Sequence, residues 1–314
     1  MSLSSTVDQR TLQAEARRRG RKRVRHNRIV GYLFISPWLI GFLAFALYPF
    51  LASLYYSFTS YDILSPPRWI GLQNYSHMMG DSLFWQSLYN TLYFTVFSVP
   101  LSTILAILVA LLLNMKVRGL AFYRTIFYLP SVVPLVASSI LWIWLFNPSF
   151  GLLDSFLRTL NLPAPGWLYD ESTVKPALIL MSLWGIGGAI VIYLAGLQGV
   201  PVELYEAADL EGANPWQKTI KITVPLISPV ILFNVTLGLI GSFQYFTQAY
   251  VMTQGGPNNA SLFYALYLYQ QAFRYLHLGY GSAMAWLLFV LILLVTLAVF
   301  KTSAKWVYYG GETA

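Results

Sequence analysis

Charged side chains fall along this chain in clumps, and long stretches between the clumps have none. Residues 29–61, 82–115, 125–153, 176–202, 222–273 and 275–300 contain no Asp, Glu, Lys or Arg. Each block exceeds the ~20 residues that carry a helix across the hydrocarbon core. Backbone groups in lipid need internal partners, so the blocks are predicted to be helical. The block 222–273 is long enough for two spans. Its run Thr253-Gln-Gly-Gly-Pro-Asn-Asn-Ala-Ser261 is polar and turn-rich, however, which ends the helix near Met252. Leu262 to Phe273 then reads as a short aromatic segment at the interface rather than a span. The pattern predicts an all-α membrane protein with six spans, at approximately 30–58, 88–113, 123–146, 173–198, 223–252 and 280–304.

Inside this frame, Pro37 and Pro49 can bend the first span. The run Arg68-Trp-Ile-Gly-Leu-Gln-Asn-Tyr75 is amphipathic enough to lie at the membrane interface. The fourth span carries Gly185, Gly187, Gly188, Gly196 and Gly199, small residues that let helix backbones approach closely.

Composition agrees with the pattern: 57% of residues are hydrophobic, 10% are charged, and the mean hydropathy is +0.57. Soluble domains average about a quarter charged. The net charge of +8 does not point to nucleic acid, because nine of the twenty basic residues lie between Arg10 and Arg28, directly before the first span. With both termini cytoplasmic, sixteen basic residues fall inside and four outside (Arg68, Arg158, Lys175, Arg274). That asymmetry is the positive-inside signature of a multi-pass membrane protein, and the basic tail is expected to meet anionic lipid. The first block, 33 residues long, far exceeds the apolar region of a cleaved signal peptide. There is no cysteine, and His26, His77 and His277 lie far apart, so thiol chemistry is excluded and no metal site is expected. The organisation is a basic tail over 1–28, a membrane domain over 29–305 with an inner loop at 199–225, and a cytoplasmic tail over 306–314.

The inner loop is the most specific feature. Pro201 suits the first position of a helix, and Glu203 and Glu206 then fall in its first turns, favourable for the macrodipole. Gly212 can end that helix in a left-handed conformation. Asn214-Pro215 supplies a second N-cap and first position, with Lys218 and Lys221 towards the far end and Pro225 stopping or kinking it. Two short helices joined by a bend are therefore predicted across the membrane face. Ala207, Ala208 and Ala213 leave room for a partner surface, and Glu206 and Glu211 can pair with its basic residues. As carboxylates alone these could equally cap helices in solvent.

The run Glu206-Ala-Ala-Asp-Leu-Glu-Gly-Ala213, with Lys221-Ile222 and Pro225, resembles the EAA loop of ATP-binding-cassette importer permeases, with Glu211 where the family usually has Asp. Asn147-Pro-Ser-Phe-Gly-Leu-Leu153, Met252-Thr-Gln-Gly-Gly-Pro-Asn258, Tyr269-Gln-Gln-Ala-Phe273 and Gly279-Tyr-Gly-Ser-Ala-Met-Ala-Trp286 extend the likeness. So does Arg68–Tyr75, and together they point to the carbohydrate-uptake group and its first membrane-subunit type (maltose, lactose or glycerol-phosphate permease-like). The resemblance implies six transmembrane helices in the type I importer permease fold, with cytoplasmic coupling helices. It implies a non-catalytic subunit working with a second permease, two ATPase subunits that bind ATP and Mg, and an extracytoplasmic sugar-binding protein. No G-x-x-x-x-G-K-[ST] run occurs in the chain, so a P-loop would have to come from a partner.

The blocks 176–202 and 222–273 carry no ionisable acid or base, which disfavours an autonomous proton-coupled transporter. Their neutral polar residues suggest a path for an uncharged sugar, lined by Asn234, Gln244, Tyr245, Gln248 and Trp184. Gln244 and Gln248 are expected one helical turn apart on a shared face. The same amides could instead glue helices together. A glycerol-phosphate-type cargo and an autonomous secondary transporter remain the alternative readings.

Overall fold

The computed structural model describes residues 30–115 and 118–308; the basic tail predicted over 1–28 lies outside the described residues. The chain divides into two compact units, with the boundary between Tyr56 and Ser57. Up to that boundary the described chain is one apolar helix, α1 (Val30–Ser57). Neither Pro37 nor Pro49 ends it. A π-helical turn at Leu43–Leu47 comes just before Pro49, widening the hydrogen-bond ladder beside a residue that has no N–H to donate.

The second unit opens with a short antiparallel ribbon, β1 (Thr59–Ser60) against β2 (Arg68–Trp69), followed by α2 (Gln73–Gly80). The amide of Asn74 holds the ribbon, donating to the carbonyls of Ser57 and Thr59 at 2.9 Å each. Next comes α3 (Ser82–Asn114), which accommodates Pro100 without a break. The path then folds through α4 (Leu120–Val132), α5 (Leu135–Leu145), α6 (Leu152–Thr159), α7 (Val174–Trp184) and α8 (Gly187–Gln198). The loop helices α9 (Val202–Leu210) and α10 (Pro215–Lys218) follow. The chain finishes with α11 (Ser228–Phe243), α12 (Thr247–Met252), α13 (Tyr264–Tyr269) and α14 (Leu278–Ser303).

Four stretches are long and apolar enough to cross a bilayer: α1, α3, the α11–α12 path and α14. Two bent pairs, α4–α5 and α7–α8, bring the candidate spans among the described residues to six, the number the charge pattern predicts. The third span is sharply bent, α4 and α5 meeting at 100°. Val133 precedes Pro134 and takes the extended conformation (φ −68°, ψ 128°) that a following proline imposes. The fourth span bends by 49° around Gly185 and Ile186. Among its glycines, Gly187 meets a neighbouring helix most closely: a Cβ there would lie 2.6 Å from the Phe127 carbonyl oxygen.

Packing concentrates at two ends. At one, Val109, Leu113, Leu194, Leu197, Val200 and Ile227 form a buried cluster joining α3, α8 and the root of the inner loop. At the other, Phe84, Phe94, Phe243, Phe263, Tyr264 and Met284 join α3, α11, α13 and α14. The first part of the segment after Ser261 is packed inside the protein. Leu262, Phe263, Tyr264 and Leu266 are at most 2% exposed. Their aromatic content reads as interface in sequence, but it fills the core between α3 and α14. The Tyr264 N–H donates to Thr91 and its hydroxyl to the Met284 carbonyl, both at 2.8 Å.

Asp81 knots this second end. Its Oδ1 caps α3 by accepting the Leu83 N–H at 2.9 Å, while Oδ2 accepts the hydroxyls of Tyr267 (2.5 Å) and Tyr280 (2.7 Å). Burial works against its charge, but those two hydroxyls and the N–H groups of Leu83 and Phe84 outweigh it and hold the carboxyl below its ordinary 3.8. A depressed folded-state pKa stabilises above the unfolded value, and the contribution disappears as pH falls through the folded value. Asp81→Ala should therefore lower thermal stability in detergent at neutral pH by about 1–3 kcal/mol. The wild-type advantage over this variant should shrink below pH ~4; a difference that stays constant down to pH ~2 would refute the assignment.

Candidate functional site

Two parts of the second unit carry candidate function, the inner loop and a cavity between the packed ends. In the loop, Pro201 is the N-cap of α9 (φ −60°, ψ 131°) rather than its first helical residue as expected, and Val202 starts the helix. Glu203 lies in the first turn. The helix ends in a Schellman arrangement: the Ala213 N–H reaches the Ala208 carbonyl at 2.9 Å and the Gly212 N–H reaches that of Asp209 at 3.1 Å. Gly212 has φ +81°, the left-handed value predicted for it. Asn214 then opens α10 with a complete capping box, its side chain accepting the Gln217 N–H at 2.8 Å while the Gln217 side chain accepts the Asn214 N–H at 2.9 Å. Pro225 does not stop the second helix. A π turn at Thr219–Thr223 carries the chain past it to the C-cap Ile227, and the wider turn absorbs the donor that proline lacks.

Lys218, expected near the end of that helix, reaches back across the bend to Asp209 at 2.6 Å. Tyr205 and Thr223 close the root of the loop through their hydroxyls at 2.8 Å. What the loop presents outward is mixed. Glu206, Ala207 and Glu211 are exposed, Ala208 and Ala213 half-buried, and among the described residues neither Glu206 nor Glu211 forms an ion pair. Beside them stand Leu210, 92% exposed, and Trp216, 68% exposed. Sequence reasoning passed over both, although a leucine between Asp209 and Glu211 in a polar loop is itself a signal of an uncovered apolar contact.

The cavity, of about 290 Å³, lies where three helix interruptions converge. The α4–α5 bend contributes Ser131 and Ser138, the α7–α8 bend Ser182 and Trp184, and the gap between α11 and α12 Tyr245 and Gln248. Among the described residues, Ser98 and Ser102 of α3 and Ser242 of α11 bring the serines in its wall to six, and no acid or base lines it. Most of these hydroxyls donate to a carbonyl of their own helix, Ser131 to Tyr128 at 2.7 Å and Ser138 to Leu135 at 2.9 Å among them. Their oxygens are left as acceptors. The hydroxyl of Tyr245 is buried without a partner, its ring packed 4.2 Å from that of Phe94. Trp184 meets Trp142 edge-on at 6.2 Å.

The structure thus brings together Trp184, Tyr245 and Gln248 of the path residues read from the sequence. Asn234 lines an adjoining cavity of about 270 Å³, which shares Ser102, Ile186 and Gly238 with the first. Its amide donates to the Val230 carbonyl of its own helix at 3.0 Å. Gln244 and Gln248 do not share a helical face. Gln244 caps α11 (φ −99°, ψ 20°) and is exposed, and α12 starts only at Thr247. The serines of α3, α4 and α5 were missed because each is unremarkable alone; the paired signal was Pro130 and Pro134, which place a break beside them.

Residues 85–308 match the family described as "Binding-protein-dependent transport system inner membrane component". The chain belongs to that family. It is 42% identical to the probable ABC transporter permease protein YesP of Bacillus subtilis, over 95% of this chain and 98% of that one. The arabinooligosaccharides transport system permease protein AraP of Bacillus subtilis is 35% identical over 87% of this chain and 88% of its own. The trehalose/maltose transport system permease protein MalF of Thermococcus litoralis is 34% identical over 87% and 92%. A chain of a bacterial alginate ABC transporter, solved in complex with an alginate pentasaccharide-bound periplasmic protein, shares the fold with a TM-score of 0.79 at 23% identity, over 90% of this chain and 96% of that chain. This permease component is thus an integral membrane protein of the type I importer fold, and α9 and α10 form the loop that the EAA likeness singles out.

The left-handed turn gives a test of how the loop is built. A Cβ at Gly212 would meet nothing within 4 Å, so a substitution costs only backbone strain, about 1–2 kcal/mol. Gly212→Val should leave membrane insertion and overall melting nearly unchanged while loosening the bend, seen as faster amide exchange at Ala213 and Asn214. Unchanged exchange there would show that the Schellman turn does not depend on glycine.

Proposed function

We propose that this permease chain carries a neutral oligosaccharide or glycoside across the membrane, driven by ATP hydrolysed in a separate subunit that docks on the loop 199–225. The observation that supports the cargo is the cavity at the three helix interruptions: its wall is hydroxyl-rich, aromatic at Trp184 and Tyr245, and free of charge. Serine oxygens can accept from sugar hydroxyls, the Gln248 amide can both donate and accept, and flat rings suit the C–H faces of a pyranose. A glycerol-phosphate-type cargo would call for a cation in that wall. The relatives named for arabinooligosaccharides and for trehalose and maltose fit the same class of cargo.

Docking would use Leu210 and Trp216 as apolar anchors, with Glu206 and Glu211 pairing basic residues of the ATPase. Ala207, Ala208 and Ala213 would allow close approach, with Pro225 at the root of the loop. ATP and Mg belong to that partner in this reading. A second permease and an extracytoplasmic binding protein complete the assembly, and both termini are cytoplasmic.

The cargo reading is tested by replacing amides. Gln248→Leu should lower sugar uptake several-fold in the reconstituted complex, since one lost hydrogen bond is worth about 0.5–1.5 kcal/mol. Gln244→Leu, outside the cavity wall, should transport nearly as wild type. Normal uptake by Gln248→Leu would remove the cavity from the path. Orientation is tested with the exposed positions Ser172 and Lys305: single cysteines there should label from opposite faces of sealed vesicles, and labelling of both from one face would reverse this topology.

A further inference from the structure

We propose that a second cavity, at Arg124, binds a phosphate group. This cavity, of about 280 Å³, lies between α3, α4 and α8 and shares no lining residue with the serine-walled one. Its wall holds Arg124, Tyr128 and Gln198 beside apolar Leu113, Ile190 and Leu194. One guanidinium nitrogen of Arg124, Nη2, donates to the Leu113 carbonyl at 3.3 Å, satisfying the last turn of α3. Its Nε is buried and has no hydrogen-bond partner among the described residues. Among the described residues, no acidic side chain lines the cavity and Arg124 forms no ion pair.

A buried donor on a permanent cation is costly unless something satisfies it. The cavity has room for that something and supplies further donors in Tyr128 and Gln198. Arginine presents its donors as a planar fork that matches two oxygens of one phosphate. Tyrosine and amide donors can take the remaining oxygens, more than a single carboxylate offers. The apolar half of the wall suits the body of a phosphate ester. Arg118 stands exposed on the turn before α4, which adds to the attraction of an anion at this end of the helices. Basic pockets between transmembrane helices bind lipid headgroups in this way. The ligand is therefore the phosphate of an anionic phospholipid or a free phosphate.

Two measurements on the full chain separate these sources. In phosphatidylcholine nanodiscs, inorganic phosphate is titrated against thermal unfolding. In mixed phosphatidylglycerol and phosphatidylcholine nanodiscs, native mass spectrometry after release counts retained phosphatidylglycerol. Wild type should bind in at least one arm: phosphate stabilisation identifies a soluble ligand, retained phosphatidylglycerol a lipid. Arg124→Gln should weaken that binding about ten- to a hundred-fold, and Gln198→Leu about two- to ten-fold. Arg124→Lys, which keeps the charge and loses the fork, should fall between wild type and Arg124→Gln. Should Arg124→Gln fail to fold once the Leu113 carbonyl is uncapped, Gln198→Leu and Arg124→Lys decide. Unchanged affinity in any folded variant, or no binding by wild type in either arm, overturns the proposal. Neither readout involves transport, so failure here leaves the proposed cargo untouched.

Discussion

Backbone N–H and C=O groups freed by a break in a transmembrane helix find no partner in lipid, so such breaks are stable only where protein or a polar cavity surrounds them. This constraint orders the second unit of the permease. Its interruptions at Val133, at Gly185 and Ile186, and at Gln244–Phe246 all fall at one level of the bundle, and a single cavity is lined from all three. Proline causes the first, glycine the second, and the third has neither residue. The sequence chemistry differs, yet the outcome is shared, which argues that the cavity is what the breaks have in common.

Packing on either side of that level is dense and of different character. Towards the Asp81 end it is aromatic and hydrogen-bonded, with Asn90 donating to the carbonyls of Asn259 and Leu262 at 2.9 and 3.0 Å and Lys175 adding a bond to Ala260 at 3.2 Å. Towards the inner loop it is aliphatic, centred on Ala106, Ala110, Leu197 and Ile227. Small residues there let α3 and α8 approach closely, as helices do where lipid offers no hydrophobic drive to associate. Two firm ends with a lined space between them suit a device that rocks about its middle.

How much of this was legible in the sequence follows from what kind of signal each feature leaves. Charge spacing marked the spans well, because no other feature of a chain clears acids and bases from more than twenty residues in a row. The loop was equally legible: Gly212 and Asn214-Pro215 are local instructions, and the backbone obeys them at φ +81° and in a capping box. Bends were not, since a hydropathy pattern is blind to direction, and Leu129-Pro-Ser-Val-Val-Pro134 reads as apolar whether straight or turned by 100°. Tertiary context also overrode local character at Leu262–Tyr267, where aromatics that suit an interface fill a core instead. The pairing of Gln244 with Gln248 failed for the same reason as the bends, because it assumed a continuous helix.

The inner loop is packed against the helices that lead to the cavity. Tyr205 and Ile222 of the loop pack on the cluster that holds Leu113 of α3 and Leu197 of α8. The Lys218–Asp209 pair is mostly exposed on its acidic side, so it adds little energy, and the shape of the bend rests on its caps. Those caps fix α9 and α10 relative to one another. Upstream, α8 leads without a break to the Gly185–Ile186 bend at the cavity wall. A force applied at Leu210 or Trp216 would cross the turn at 199–201 before entering α8, whose far end is the Gly185–Ile186 bend at the cavity wall.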